Sequence, residues 1–352
     1  MKNQNKERNT RAVKVKKIMI GGGFPVTVQT MWKKPLEKIG KTLLKEIREL
    51  ADAGCDIIRF AVPTIEEAAL LGELQAETEM PLVADIHFDY RIALECMRQG
   101  VAKIRINPGN IGDENRVQEV IQAARDTATP LRIGVNAGSL PAGLRDEKDI
   151  VAAMLKSAEI ELELLEKYGF RNVVFSFKSS DVATTINVNR RFREQHDYPL
   201  HLGVTEAGPR IPGIVKNTAA LYTLLSEGIG ETIRVSLSAD PLDEVIAGRE
   251  ILRACGRTVK GVNLISCPTC GRTTFPVRDF YEKVSARLNA LEKNISIAIM
   301  GCHVNGPGEA RHADLGITGA GKYALIFKKG EIIRRELIEN AYTAFIEELD
   351  RI

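Results

Sequence analysis

The stretch MPLVADIHFDYRIALECMRQGVAKIRINP, residues 80–108, decides the fold. It opens and closes on short apolar runs, MPLVADIHF (80–88) and VAKIRINP (101–108), with a stretch of helical spacing between them. That is the pattern of a strand, a crossover helix and a second strand parallel to the first. The alternation extends in both directions, from residue 25 to about 253. Six further runs read as strands: PVTVQTM (25–31), DIIRFAV (56–62), PLRIGVNAG (130–138), NVVFSFK (172–178), PLHLGVTEAG (199–208) and TIRVSLS (232–238). KTLLKEIRELADAG (41–54) and ENRVQEVIQAARDT (114–127) show apolar positions at helical spacing. Eight strands alternating with helices predict a TIM barrel over residues 21–254. The charged run KNQNKERNTR leads the expectation of a tail over residues 1–20, and GGG at 21–23 reads as a turn. No GxGxxG follows a strand, which argues against a built-in dinucleotide site.

Each apolar run carries polar groups in it or just past it: Gln29; Arg59; Asp85 and His87; Arg105 and Asn107; Arg132 and Asn136; Ser176 and Lys178; Thr205 and Glu206; Arg234 and Ser236. Barrel enzymes keep their sites at the carboxyl ends of their strands. Taken singly, each residue has a bland reading as a paired barrel-lining charge or an exposed loop residue. Taken together, the five cations Arg59, Arg105, Arg132, Lys178 and Arg234 against the carboxylates Asp85 and Glu206 leave a surplus of three positive charges on that face. Charges in such a place are costly unless something there needs them. Guanidinium forks match phosphate oxygens, and the glycines of NPGN (107–110) and TEAG (205–208) let backbone amides approach the same group. The expected ligand is a small phosphorylated or diphosphorylated compound.

From residue 257 the character changes, and residues 257–352 read as a smaller α+β domain. VRDFYEKVSARLNALEK (277–293) is an amphipathic helix, ISIAIMG (295–301) a buried strand, KYALIFKKGEIIRREL (322–337) a hairpin across KKG, and LIENAYTAFIEELDRI (337–352) a closing helix. Two loops of this domain carry metal-ligand chemistry. ISCPTCGRT (265–273) sets Cys267 and Cys270 side by side, and MGCHVNGPGEA (300–310) brings Cys302 and Glu309. Three thiolates with a carboxylate in the fourth position suit an iron-sulfur cluster with one exchangeable iron. A structural zinc completed by His303 is the competing reading, and a disulfide the third. Cys55 and Cys96 lie in apolar stretches and read as buried thiols, whereas Cys255 falls between the two domains and could lend a thiolate. No CxxxCxxC run occurs, which argues against radical-SAM chemistry.

Composition excludes other classes. Six cysteines in 352 residues and a polar N-terminus without a signal sequence point to a reducing cytoplasm. A formal charge of +3 gives no reason to expect nucleic acid or an anionic membrane as partner. No apolar run approaches the ~20 residues of a transmembrane helix, so the protein is expected to be soluble.

The strings VQTM, ADIHF, IRINPGN, RIGVNAGSL, HLGVTEAG, TIRVSLS, SCPTCGR and GCHVNGPGEA follow one another over nearly the whole chain. In this order they closely resemble the 4-hydroxy-3-methylbut-2-enyl diphosphate synthases of non-mevalonate isoprenoid biosynthesis, in their short two-domain bacterial form. The resemblance implies a TIM barrel joined to a [4Fe-4S] domain and reductive ring opening of 2-C-methyl-D-erythritol 2,4-cyclodiphosphate. It also implies electrons from flavodoxin or ferredoxin, and a homodimer in which the cluster domain of one subunit caps the barrel of the other. In the family pattern the cluster ligands fall on Cys267, Cys270, Cys302 and Glu309, in preference to zinc. His303 and GIGET (228–232) depart from the pattern without touching a proposed ligand. With this substrate, the expected clamp is Arg59, Arg105, Arg132, Lys178, Arg234 and Ser236. Asn107 and Asn136 are orienting donors, Asp85 and His87 shape the pocket, and Thr205 and Asn305 complete the substrate contacts. Glu206 is the expected acid, with His87 the next candidate. The alternative function is a phosphate-ligand binding protein with a structural zinc domain.

Overall fold

The computed structural model describes residues 10–107, 114–257, 261–291, 293–302, 308 and 310–352. The chain divides into two compact units, Met1–Thr258 and Val259–Ile352.

Among the described residues of the first unit, eight parallel strands alternate with eight α-helices. The strands are β3 (Thr27–Met31), β4 (Ile57–Ala61), β5 (Leu82–Asp85), β6 (Lys103–Ile106), β7 (Leu131–Asn136), β8 (Val173–Lys178), β9 (His201–Leu202) and β10 (Thr232–Ile233). The helices that follow them are α1 (Lys41–Asp52), α2 (Ile65–Glu77), α3 (Tyr90–Arg98), α4 (Glu114–Asp126), α5 (Ile150–Lys167), α6 (Val182–Gln195), α7 (Arg210–Ser226) and α8 (Pro241–Ala254). Hydrogen-bonded order runs β8-β7-β6-β5-β4-β3-β10-β9, and a bridge between Phe175 and Leu200 joins the two ends of the sheet. The result is the TIM barrel that the alternation predicts. Several helices start where the sequence supplies a cap. Asp89, Asp149, Asp181 and Asp240 each accept a backbone N–H of the first turn of α3, α5, α6 and α8, and Pro241 opens the last of these. β9 and β10 are shorter than their apolar runs, because the chain leaves the ladder early. Glu206 takes φ 50° and Gly208 φ 106° in the loop after β9.

Residues 12–21 correct the expectation of a tail over 1–20. β1 (Ala12–Val15) and β2 (Ile18–Gly21) form an antiparallel hairpin with Val13 opposite Ile20. Val13, Val15 and Ile20 are fully buried in a cluster with Ile57, Val83, Ala102 and Val174. Those partners lie at the N-terminal ends of β4, β5, β6 and β8, so the hairpin closes that end of the barrel. The charges of Lys14, Lys16 and Lys17 mask a period of two in which every second residue is apolar.

In the second unit the sheet order is β11 (Val262–Ser266), β12 (Ile295–Met300), β13 (Leu315–Ala320), β14 (Tyr323–Lys328), β15 (Glu331–Leu337). The first three strands are parallel and the last two antiparallel. Helices α9 (Val277–Asn289) and α10 (Ala341–Asp350) cover one face through Phe280, Val284, Leu288, Phe345 and Leu349. β13, LGITGA, is an element to which the sequence analysis assigned nothing. Its glycines are required by packing: a Cβ on Gly316 would run into the Phe327 ring, and one on Gly319 would lie 2.6 Å from Thr274 Oγ1.

Candidate functional site

A TIM barrel interior is ordinarily filled by branched apolar side chains. Here Gln29, Arg59, Asp85, Lys103, Arg105, Arg132, Ser176, Lys178 and His201 are all buried on the barrel strands. Parallel register lines them up across neighbours: Asp85 stands opposite Arg105 and Arg105 opposite Arg132, while Arg59 stands opposite Val83 and Val83 opposite Lys103. Two glycines make the room. A Cβ on Gly134 would lie 2.9 Å from Arg105 Nε, and one on Gly203 would lie 2.9 Å from Lys178 Nζ.

Two buried carboxylates hold part of this charge. Arg105 Nη1 donates to Asp85 Oδ1 at 2.9 Å, with Arg59 Nε and His87 Nε2 each 3.5 Å from Asp85 Oδ2. Burial pushes the Asp85 carboxyl up, but Arg59, the His87 hydrogen bond and Arg105 together hold it well below the usual range. The second carboxylate is Glu244 on α8, which accepts from Arg234 Nη2 at 2.9 Å, Thr30 Oγ1 at 2.8 Å and the Leu237 backbone N–H at 3.0 Å. It corrects the charge count made from the sequence. Glu206 is exposed on its loop and does not belong to the buried set, whereas Glu244 does. Lys103 adds a cation. With every group in its charged form, six cations (Arg59, Lys103, Arg105, Arg132, Lys178, Arg234) less two carboxylates (Asp85, Glu244) would leave four positive charges, not three.

The imbalance appears in the titration of the group. Burial, with repulsion from Arg234 and Arg105 partly offset by Asp85, lowers Arg59 to about 10. Burial and then the neighbouring guanidinium groups pull Arg132 and Lys178 well below their ordinary values. Several buried donors have no hydrogen-bond partner among the described residues: Arg59 Nε, Lys103 Nζ, Arg105 Nε, Arg132 Nε and Nη1. Arg132 makes one weak bond, from Nη2 to Ser176 Oγ at 3.3 Å. Buried donors are ordinarily satisfied, so the chemistry of this chamber matches an acceptor-rich anion.

At the mouth, His87, Asn107, Asn136, Thr205 and Ser236 are partly exposed at the strand ends or in the loops beyond. Arg234 Nη1 donates to Ser236 Oγ at 3.3 Å. The loops after β9 and β10 are tied together by Asn217 of α7, a residue the sequence did not single out. Its Oδ1 accepts from Val204 N at 3.1 Å, and its Nδ2 donates to Gly213 O at 2.9 Å and Ser236 O at 3.4 Å. Ser238 N–H bonds Gly208 O at 3.0 Å across the same pair of loops. Lys103 and His201 were overlooked as well. For Lys103 a signal existed: it precedes Arg105 by two residues, so both side chains point into the barrel.

In the second unit, Cys267 directly follows β11 and Cys302 follows β12, so the two loops leave the same end of neighbouring parallel strands. Within the CxxC turn Thr269 takes φ 66°, and its N–H points at Cys267 Sγ at 3.4 Å. The Cys270 N–H bonds Thr273 Oγ1 at 3.0 Å, and Cys270 is exposed. Turns that aim N–H groups at sulfur suit thiolate ligands. Glu309, His303 and Asn305 lie outside the described residues, and among the described residues no three His, Cys, Asp or Glu side chains are gathered closely enough to hold a metal ion. Cys55 and Cys96 are buried, with burial pushing each thiol up to about 12, and Cys255 is half-buried with its thiol raised. None of these three is poised as a thiolate.

Among the described residues no helix is long and apolar enough to cross a membrane. The barrel resembles N-acetylneuraminic acid synthetase from Leptospira borgpetersenii in fold, with a TM-score of 0.50 at 16% identity over 70% of this chain and 91% of that one. At the level of sequence, residues 10–249 match the GcpE TIM-barrel domain and residues 263–351 the GcpE protein C-terminal domain. The chain is 50% identical to the 4-hydroxy-3-methylbut-2-en-1-yl diphosphate synthase (flavodoxin) of Treponema denticola, covering 96% of each protein. It is 47% identical to the enzyme of that name from Clostridium tetani, over 98% of this chain and 99% of the relative. Relatives with this name give no support to a phosphate-binding protein with a structural zinc. With both family domains matched in order across almost its whole length, the chain belongs to the GcpE family.

Proposed function

We propose that the chain catalyses the reductive ring opening of 2-C-methyl-D-erythritol 2,4-cyclodiphosphate to 4-hydroxy-3-methylbut-2-enyl diphosphate, as a cytoplasmic homodimer fed by reduced flavodoxin or ferredoxin. The observation that carries this reading is the cation-rich barrel interior, where, among the described residues, six buried or nearly buried basic groups face two carboxylates and several donors lack acceptors. A diphosphate supplies the missing charge and oxygen acceptors together. Arg59, Arg105, Arg132, Lys178 and Arg234 bind it, each new charge-assisted bond contributing on the order of 1.5 to 3 kcal/mol. Ser236, Asn107, Asn136, Thr205 and Asn305 orient the carbon ring, and Asp85 fixes Arg59, Arg105 and His87.

The reaction consumes two electrons and one proton: the ring C–O bond to the diphosphate breaks, and a hydroxyl leaves as water. A [4Fe-4S] cluster on Cys267, Cys270, Cys302 and Glu309 supplies single electrons when bound. The donor set fits such a group, three thiolates with a carboxylate, with the Thr269 N–H already directed at Cys267 Sγ. Glu206, on the loop beyond β9, delivers the proton to the departing hydroxyl, and His87 beside Asp85 is the second group able to do so.

The test is anaerobic turnover. Purified protein with reduced flavodoxin should convert the cyclic diphosphate, and Arg132→Ala should need a higher substrate concentration to do so. A colourless, zinc-containing protein that binds the cyclic diphosphate without turning it over would overturn the reading.

A further inference from the structure

Lys103 stands apart from the clamp. Its side chain is 0% exposed, its Nζ has no hydrogen-bond partner among the described residues, and it sits two positions before Arg105 on β6. Two residues of strand place it roughly 7 Å deeper, toward the end closed by the N-terminal hairpin. Register puts it in one row with Val83 and Arg59. The charged groups that bear on it are Arg132 from β7 and Arg59 from β4, both repulsive, and it acts in turn on His201 of β9. Arg105, Lys178 and Arg234 share the same interior. Gln29 on β3 and Val13, Val15 and Ile20 of the hairpin bring no charge. Asp85 is already bonded to Arg105, and Glu244 to Arg234. A buried ammonium group without a counterion or a protein acceptor is among the costliest arrangements in a fold, and such a lysine tends to shed its proton.

We propose that Lys103 is an uncharged amine in the ligand-free barrel and takes up a proton when a diphosphate enters, so that anion capture is coupled to protonation at the floor of the pocket. The inference rests on the diphosphate reading of the clamp above. An entering dianion reverses the sign of the local field: the repulsion from Arg59 and Arg132 is then outweighed, and the ammonium form becomes the stable one. In the ligand-free protein the amine, held at about 7 by burial and then by Arg132 and Arg59, is poised to respond within the physiological range. His201 is a poor competitor, because burial and then Arg132 and Lys178 hold it well below its ordinary value.

The experiment is calorimetric titration of the full-length, cluster-loaded protein, without electron donor, with 2-C-methyl-D-erythritol 2,4-cyclodiphosphate at pH 7.5 in buffers of different ionisation enthalpy. Both phosphate groups of this ligand are diesters in character and stay ionised from pH 6 to 9, so protons exchanged come from the protein. Wild-type protein should take up a substantial fraction of one proton per chain, and its affinity should fall as pH rises from 7 to 9. His201→Asn should retain this uptake. Lys103→Met, with Lys103→Gln as a second variant should the first not fold, should bind with clearly less uptake and a shallower pH dependence, any remainder falling to Lys178, which burial and then Arg132 also pull well below its ordinary value. Binding without uptake in the wild type, or uptake undiminished in the Lys103 variants, overturns the inference and leaves the clamp standing. Failure of the cyclic diphosphate to bind at all overturns the clamp.

Discussion

Arg234 and Glu244 form a two-point ion pair between the loop after β10 and helix α8, with Nη2 to Oε1 at 2.9 Å and Nε to Oε2 at 3.2 Å. The Glu244 side chain has no exposed surface, and the Arg234 side chain keeps 13%. One carboxylate thus anchors a clamp arginine, the Thr30 hydroxyl and the Leu237 amide, and Lys33 Nζ reaches the same oxygen at 3.0 Å. Its role is to position Arg234, and removing it leaves a guanidinium inside the barrel without its counterion.

Glu244→Gln should therefore lower the stability of the barrel by about 3 kcal/mol, since breaking one partner of a buried pair strands the other. Chemical denaturation followed by circular dichroism reads the change. A variant as stable as the wild type would mean that Arg234 is satisfied by solvent.

Arg132→Ala tests the clamp directly. Arg132 is buried and, among the described residues, keeps one long bond to Ser176 and has two nitrogens without acceptors. The variant should bind the cyclic diphosphate more weakly by about 1.5 to 3 kcal/mol, the scale of a charge-assisted hydrogen bond. Direct titration measures it. Unchanged affinity would make Arg132 a structural residue.

Much of the barrel was legible because its signals are local. Strand, helix and cap follow from period and turn chemistry, and the alternation of side chains marks which residues of VAKIRINP point inward. What escaped depended on partners far along the chain. Glu244 looks like an ordinary first-turn acid of α8 until folding brings Thr30, more than two hundred residues earlier, within 2.8 Å of it. Asn217 is one polar residue in a helix until its amide spans two loops. The hairpin at 12–21 and the glycine-rich β13 were hidden by composition, lysines in one case and glycines in the other, although packing against Val83 and Phe327 determines both.

Cys270→Ser examines the thiolate set. Anaerobically reconstituted wild type should carry about four irons per chain and broad visible absorption. The variant should lose most of both, together with turnover. Glu309→Ala should retain a more labile cluster on three thiolates while losing activity, and full activity in that variant would remove Glu309 from the ligand set.

Lys103 makes stability depend on pH in a specified direction. Its folded-state value of about 7 lies below the 10.5 of an exposed lysine, so between these limits the unfolded chain binds more protons than the folded one. Stability contributed by this group rises with pH across that window, and the cost of burying it is fully present below pH 7. Lys103→Met should stabilise the protein by about 2 to 4 kcal/mol near pH 6.5, with the gain shrinking toward pH 10. Equal gains at both pH values would show that packing, not protonation, separates the two chains.

The last prediction separates proton delivery from binding. Glu206 stands exposed at φ 50° on the loop that Asn217 and the Ser238–Gly208 bond hold in place, outside the buried ion pairs of the clamp. Glu206→Gln keeps the shape of the side chain and removes only the ionisable group. Affinity for the cyclic diphosphate and the visible spectrum should be nearly unchanged, while turnover falls on the order of 10² to 10⁴ fold, the range expected for loss of a general acid. The comparison needs Kd, spectrum and rate on the same preparation. Should affinity and rate fall together, Glu206 positions the ligand, and the proton must come from His87, whose Nε2 lies 3.5 Å from the Asp85 carboxylate.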